Sequence, residues 1–277
     1  MKSFIKSLLP PFILNVLILL KQQKYGWTGH YNSWEEARKK SIGYDSDKIL
    51  KSVEESLLKV KNGEAVYERD SVIFDEIQYS WQLLSGLMLI ASKSYNRLNI
   101  IDFGGSLGST YYQNKKFLDE LDMVSWNIVE QKHFVEIGKE KFEDERLKFY
   151  YDIESCFKEK RPNALLLSSV LQYLENPFDE LERFMSYDFE YIIIDLTPFS
   201  HKDKERITIQ KVPPSIYQAE YPCWIFSLDK IKSILLKKYI LIEEFICIED
   251  WKIYLTNKDY AVYRGMILKR KLNHGKK

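Results

Sequence analysis

The sequence predicts an α/β protein built on a mostly parallel seven-stranded sheet, with an antiparallel hairpin at its carboxyl end and a helical extension at its amino end. Three observations carry that expectation. From residue 98 onward, short β-rich runs alternate with longer, charged, amphipathic segments, the pattern of βαβ units. The first of these runs ends in a cluster of glycines that opens into a helix-like segment. Residues 1–97 instead carry mainly helical apolar spacing.

The strands are placed by their apolar runs: 98–103 (LNIIDF), 125–129 (SWNIV), 147–151 (LKFYY), 164–168 (ALLLS) and 191–195 (YIIID). Helices are expected between them over 112–121, 132–142 and 179–185, the last behind Asn176 and Pro177 as cap and first turn. These connections suit right-handed crossovers. Ser227 is expected to cap a helix reaching about Lys237, and runs 239–248 and 260–268 then pair as the antiparallel hairpin. In the amino-terminal part, Ser33 and Glu36 fit a capping box, and helices are expected over 47–60 and 73–91. The predicted organisation is a helical cap over 1–97 and a sheet domain over 98–277, with 197–226 as a lid.

At 277 residues the chain can bury one generous core. Lysine and arginine number 41 against 40 acidic residues, so no single-sign field draws it to nucleic acid, and a small-molecule or neutral acceptor is the expected partner. Cys156, Cys223 and Cys247 are far apart and have no paired Cys/His spacing, which argues against a disulfide framework or a metal site. Cys223 has no neighbouring base and is expected to be structural. A reducing, cytoplasmic setting fits them. The apolar run 12–20 follows Lys2 and Lys6, but it is too short to span a bilayer and no small-residue cleavage site precedes Lys21. It is expected to be a helix docked on the protein, with peripheral membrane contact as the alternative and no transmembrane span.

The glycine turn is the most informative segment. Asp102-Phe103-Gly104-Gly105-Ser106-Leu107-Gly108 lies at the carboxyl end of the first strand, where open α/β sheets bind ligands. No three glycines here satisfy the dinucleotide spacing G-x-G-x-x-G. Gly104 and Gly108 match instead the outer glycines of an acidic residue followed by x-G-x-G-x-G, with Ser106 in the middle position. The segment resembles motif I of class I methyltransferases. The whole chain resembles a family of methyltransferases found in bacterial surface-polysaccharide gene clusters. Four segments carry that resemblance: 26–37 (GWTGHYNSWEEA), the glycine turn, 167–174 (LSSVLQYL) and 221–227 (YPCWIFS).

The resemblance implies a Rossmann-like class I methyltransferase fold, S-adenosylmethionine (SAM) as cofactor, and a sugar or glycan-linked acceptor. Glu130, just past the second strand, can accept both ribose hydroxyls, and its position matches the acidic residue that does so in class I methyltransferases. Asp152 resembles the residue that accepts from the adenine amino group, with the Ile153 amide beside it. Asp102 is expected under the turn, ordering its amides and facing the cationic methionine end, with Gly104, Gly105, Ser106 and Gly108 lining the cradle. Ser169, Gln172 and Tyr173 are candidates to face the transferred methyl. For a catalytic base the sequence offers His201 and His30, both in polar surroundings. The prolines and aromatic residues of 212–226 suggest a lid able to stack on a sugar ring. Two other readings stay open: a catalytically silent scaffold in glycan assembly, motivated by Ser106 and the lack of a clear base, and a nicotinamide-dependent oxidoreductase, disfavoured by the glycine spacing.

Overall fold

The computed structural model describes residues 25–44, 46–214, 216–249, 251–256 and 259–272. The apolar run 12–20, expected to form a helix, lies outside them. Among the described residues no helix is long and apolar enough to cross a membrane.

The central sheet uses β5 (Arg97–Phe103), β6 (Met123–Val129), β7 (Leu147–Tyr150), β8 (Ala164–Ser168), β9 (Tyr191–Ser200), β12 (Tyr239–Ile246) and β14 (Asp259–Arg270) in the order β12-β14-β9-β8-β5-β6-β7. The five strands from β9 to β7 run parallel, and β14 runs antiparallel to both β9 and β12. This is the predicted sheet, with one addition: β13 (Ile253–Thr256) pairs with the start of β14.

Successive side chains of a strand point to opposite faces, and the two halves of the core divide accordingly. Ile100, Trp126, Ile128 and Ile193 pack on one face with Leu83, Leu87 and Ile90 of helix α3 (Trp81–Lys93) and Tyr111 of α4 (Ser109–Leu118). Ile101, Leu165, Leu167, Ile192 and Ile194 pack on the other. There they meet Leu181 and Phe184 of α7 (Pro177–Ser186) and Ile231 and Leu235 of α8 (Leu228–Leu235). Covering both faces is why these strands read as unbroken apolar runs rather than alternating ones. Ser227 caps α8 as expected, accepting from the Lys230 amide at 3.1 Å.

The segment expected as one helix over 132–142 is α5 (Lys132–Ile137) continued by a π-helical turn, Gly138–Phe142. Gly138 lies against Phe149 of β7, where a Cβ would come within 2.4 Å of the ring. α6 (Ile153–Glu159) follows β7.

The amino-terminal part differs from the helical expectation. α1 (Trp34–Lys40) and α2 (Ser46–Lys61) are present, and half of the capping box forms: the Glu36 amide donates to Ser33 Oγ at 3.1 Å, while the Glu36 carboxylate accepts from the Asn32 amide, one residue before the cap, also at 3.1 Å. The helix expected from residue 73 instead begins at Trp81, because Tyr67–Arg69 (β3) and Val72–Phe74 (β4) close a tight hairpin. Asp70 and Ser71, its two central residues, both adopt positive φ, 50° and 67°, the geometry of a type I′ turn. Apolar residues at 72 and 74 carry a period of two that a helical reading absorbs as part of a longer stripe.

The aromatic segment 26–31 is also a strand, β1 (Gly26–Tyr31). It joins β2 (Gly43–Tyr44), β10 (Arg206–Val212) and β11 (Ala219–Ile225) in a second, antiparallel sheet ordered β1-β10-β11-β2. The expected lid is therefore a hairpin built into a four-stranded sheet. Trp224 of β11 stacks on Trp34 with ring centroids 6.4 Å apart and donates to the Leu174 carbonyl at 3.1 Å, which seats this sheet beside the carboxyl end of β8.

Candidate functional site

Strand order reverses between β5 and β8: the chain runs outward through β6 and β7, then crosses back to β8 and β9. Ligands of open α/β sheets bind in the crevice that opens at the carboxyl ends of such strands. Here that crevice is walled by the glycine turn on one side and by residues 168–173 on the other.

The turn needs its glycines for different reasons. Gly104 (φ 71°) and Gly108 (φ 106°) take left-handed backbone, and a Cβ on Gly104 would fall 2.4 Å from Val170, across the crevice. Gly105 rests on the carboxylate of Asp102, whose Cγ a Cβ there would approach to 2.5 Å. Gly105→Ala is expected to lower the unfolding free energy by about 1–3 kcal/mol, read by urea denaturation, because the buried carboxylate beneath has no room to move aside. Ser106 also adopts positive φ, 54°, so the non-glycine position pays backbone strain where the resemblance places a glycine.

Asp102 is 1% exposed. Trp126 Nε1 donates to its Oδ2 at 3.0 Å, while Oδ1 has no hydrogen-bond partner among the described residues. Burial pushes this carboxyl up to about 7; the Trp126 bond opposes the rise and the charge of Glu130 adds to it. A half-satisfied carboxylate directly under a glycine turn is poised for a cation or further donors above it.

Glu130 stands at the end of β6 and accepts from the backbone amides of Gln131 and Ser106. Burial raises its carboxyl above the usual range, against those two bonds. Its carboxylate thus already faces the glycine turn. Asp152 is exposed and caps α6, accepting from the Ser155 amide at 2.6 Å, a bond that lowers its carboxyl below the usual range. The Ile153 side chain is fully buried, and as the first residue of α6 its amide has no intrahelical acceptor.

Across the crevice, Ser169 (φ 53°) donates its amide to the Asp195 carbonyl, and its hydroxyl accepts from Gln172 at 3.1 Å. Gln172 is fully buried and leaves Oε1 unpartnered among the described residues. Tyr173 donates to Gln210 of the second sheet at 3.0 Å and meets Tyr221 edge to face at 5.2 Å.

The structure brings Asp102, Gly104, Gly105, Ser106, Gly108 and Glu130 together, with Ser169 and Tyr173 on the facing wall. It does not bring in the two histidines. β9 runs past the crevice to Ser200, and His201 stacks on Tyr260 with centroids 4.0 Å apart and Nδ1 3.3 Å from Asp259. His201 and Tyr260 line a different cavity, of about 550 Å³, to which no glycine-turn residue contributes. His30 is exposed on β1 of the second sheet. Cys223 is buried and receives Trp27 Nε1 at 3.3 Å, and burial pushes its thiol up to about 12, which leaves it a packed, unreactive group.

Sequence reasoning missed the β3–β4 hairpin, which is fastened to the helix that leaves the glycine turn. Glu68 accepts from Ser109 Oγ at 2.6 Å and from the Ser71 amide at 2.7 Å, and Gln113 donates to Tyr67 Oη at 3.1 Å. The Asp-Ser pair between two short apolar-aromatic runs was the available signal. Among the described residues no His, Cys, Asp and Glu group is arranged to hold a metal ion.

No family model matches the chain, and no curated protein matches it. Several solved structures align with it. A Burkholderia thailandensis 1,6-didemethyltoxoflavin-N1-methyltransferase with its substrate and S-adenosylhomocysteine (SAH) bound is 12% identical, with 83% of this chain and 95% of that one covered and a TM-score of 0.39. The N-terminal domain of EvdMO1 with SAH bound is 11% identical, with 83% and 98% covered and a TM-score of 0.45. The glycopeptide N-methyltransferase MtfA with SAM bound is 10% identical, with 68% and 94% covered and a TM-score of 0.45. At such distances neither cofactor nor acceptor follows from the likeness.

Proposed function

We propose that this chain is a SAM-dependent methyltransferase that O-methylates a sugar or glycan-linked acceptor in surface-polysaccharide assembly, working in the cytoplasm. The observation that carries the cofactor is the pairing of two carboxylates with one glycine turn: Asp102 buried beneath Gly105, and Glu130 held at the lip by the Ser106 amide. The glycine spacing supports SAM over a dinucleotide. The acceptor rests on the resemblance of 26–37 and 221–227 alone.

The residues present fit the cofactor. The unpartnered Oδ1 of Asp102 suits the cationic methionine end, Glu130 can exchange its amide donors for two ribose hydroxyls, and Asp152 with the Ile153 amide stands where an adenine edge would be read. Bound SAM supplies an electrophilic methyl on a sulfonium. What the protein contributes is alignment and exclusion of water: the 168–173 wall and the second sheet close the crevice opposite the turn. On this reading residues 98–277 form the catalytic domain, and residues 1–97 together with the lid hairpin cover its edge.

Calorimetric titration with SAM and with NAD tests the proposal. Saturable SAM binding that weakens about tenfold or more in Glu130→Ala, about 1.4 kcal/mol, is expected. Absence of SAM binding near millimolar cofactor would favour the silent-scaffold reading, and preferential NAD binding would favour an oxidoreductase.

A further inference from the structure

The proposed methyl transfer to a hydroxyl needs a group to take its proton, and both histidines stand away from the crevice. The sheet itself supplies one. β9, β8 and β5 lie side by side, and alternation along each strand puts Asp195, Ser168 and Asp102 on one face, the face whose core is closed by α3 and α4. The registers fix their heights. Ser168 is paired with Asp195 across β8 and β9, and Asp102 with Leu166 across β5 and β8. Ser168 therefore ends β8 level with Gly104 of the glycine turn, at the lip of the crevice.

Ser168 Oγ donates to Asp195 Oδ2 at 3.1 Å. Ser168 is half-buried, whereas Asp195 lies beneath it at 1% exposure, with Oδ1 lacking a hydrogen-bond partner among the described residues. A serine hydroxyl has one proton and two lone pairs. Its proton is committed to Asp195, which leaves the lone pairs to accept from a ligand's hydroxyl. The backbone around the pair is braced. The Ser169 amide and Thr197 Oγ1 both donate to the Asp195 carbonyl, at 3.0 and 3.2 Å, and Gln172 Nε2 ties Ser169 Oγ at 3.1 Å to the Leu196 carbonyl at 3.2 Å. Burial raises the Asp195 carboxyl, against the Cys247 thiol, the Ser168 hydroxyl and the charge of Arg69, and Tyr67 is the other titratable group that feels its charge. Cys247 receives the Leu196 amide at 3.2 Å, and burial pushes its thiol up, so it keeps its own proton at neutral pH.

Resting on the methyl-transfer reading above, we propose that Ser168 takes the proton of the acceptor hydroxyl while handing its own to Asp195, so that the two side chains together serve as the base. Ser168 is the catalytic residue, because it touches the acceptor. Asp195 acts through it, as the positioning residue that fixes the hydroxyl and stores the proton. In the step, the acceptor O–H bond breaks and its proton passes to Ser168 Oγ, as the Ser168 proton passes to Asp195 Oδ2. The acceptor oxygen forms the new bond to the methyl carbon as the carbon–sulfur bond breaks. That bond's electron pair stays on sulfur, which goes from the sulfonium of the methyl donor to a neutral thioether. Asp195 later returns the proton through Ser168 to water. A desolvated carboxylate with a single printed side-chain donor and one oxygen left over has the proton affinity this role needs.

Ser168→Ala removes the hydroxyl without emptying the core, and Asp195→Asn keeps the shape of the side chain while removing the proton's destination. Three measurements on the full chain test the proposal: calorimetry with SAH, carbon-13 NMR of aspartate-labelled protein, and transfer of labelled methyl from SAM to a panel of glycosides and nucleoside-diphosphate sugars. Both variants are expected to bind SAH within about threefold of the wild type. The carboxyl resonance that Asp195→Asn removes is expected to titrate above the ordinary value of about 3.9, and higher still in Ser168→Ala, which loses the bond that lowers it. With a panel acceptor, kcat is expected to fall by about 100-fold or more in each variant, with KM little changed, and the double variant is expected to be no slower than the worse single one. A kcat near the wild-type value in either variant, losses that multiply in the double variant, a resonance that Ser168→Ala leaves in place, or loss of SAH binding in Ser168→Ala would each overturn the relay. Absence of transfer by the wild type to every panel member would overturn the acceptor reading on which the proposal rests, and failure of the wild type to bind SAH would overturn the cofactor reading. The resonance reads the Ser168 and Asp195 pair in both of those cases.

Discussion

Trp126→Ala is expected to lower the unfolding free energy by about 3–5 kcal/mol, measured by urea denaturation at neutral pH. Two losses combine. The indole is fully buried in the core between β5 and α4, packed at 5.9 Å from Tyr111, so its removal leaves a large cavity. The same change removes the one side-chain donor to Asp102 among the described residues and leaves neither oxygen of a buried carboxylate with a partner among them. Trp126→Phe separates the two, since it retains most of the volume and loses the bond. A loss of about 1–3 kcal/mol in that variant would assign the balance to packing, and stability equal to wild type would show that the bond to Asp102 contributes nothing.

The second large effect is on pH. Asp102 has a folded value of about 7, against an ordinary unfolded value of about 3.9. The folded state therefore binds this proton more tightly than the unfolded chain does. Its stabilising contribution is fully present below the unfolded value and is lost as pH rises through about 7. Other groups apart, stability should climb as pH falls from about 7 toward about 4, by an amount on the order of 4 kcal/mol over that span. Asp102→Asn should remove most of that slope and raise stability at about pH 8. The same proton bears on the proposed cofactor: a cation above Asp102 favours the ionised form, so SAM affinity should tighten between about pH 6 and about pH 8. The asparagine variant should bind more weakly and without that dependence. A flat affinity in the wild type would separate Asp102 from the cofactor.

How much of this was legible beforehand follows a physical line. The five parallel strands are buried on both faces and announce themselves as apolar runs, and their carboxyl ends place Asp102, Gly104, Glu130 and Ser169 without further information. The α8 cap at Ser227 was readable because one hydroxyl satisfies a nearby amide. What failed was non-local. β1 falls in the part read as mainly helical because its partner, β10, lies far along the chain, and because Gly29 stands between Trp27 and Tyr31 on the face they share. The end of β4 was absorbed into the helix expected over 73–91, and the hairpin went unread because its turn is Asp-Ser rather than Asn-Gly, which offers no glycine to mark the break. The histidines drew notice for their titration range, whereas position in the crevice was decided by how far β9 runs past Asp195, which composition does not encode.

The second sheet joins residues far apart along the chain: Trp27 donates to Cys223, 196 residues away. Closing so large a loop is entropically costly and slow, so this sheet is expected to assemble last, after the central sheet has brought β10 and β11 into position. The crevice wall that carries Tyr173, through its bond to Gln210, would then become ordered only when the amino-terminal strand has docked. A chain clipped ahead of residue 32 would keep its glycine turn while losing the strand that pairs with β10, and with it the support of one wall of the crevice.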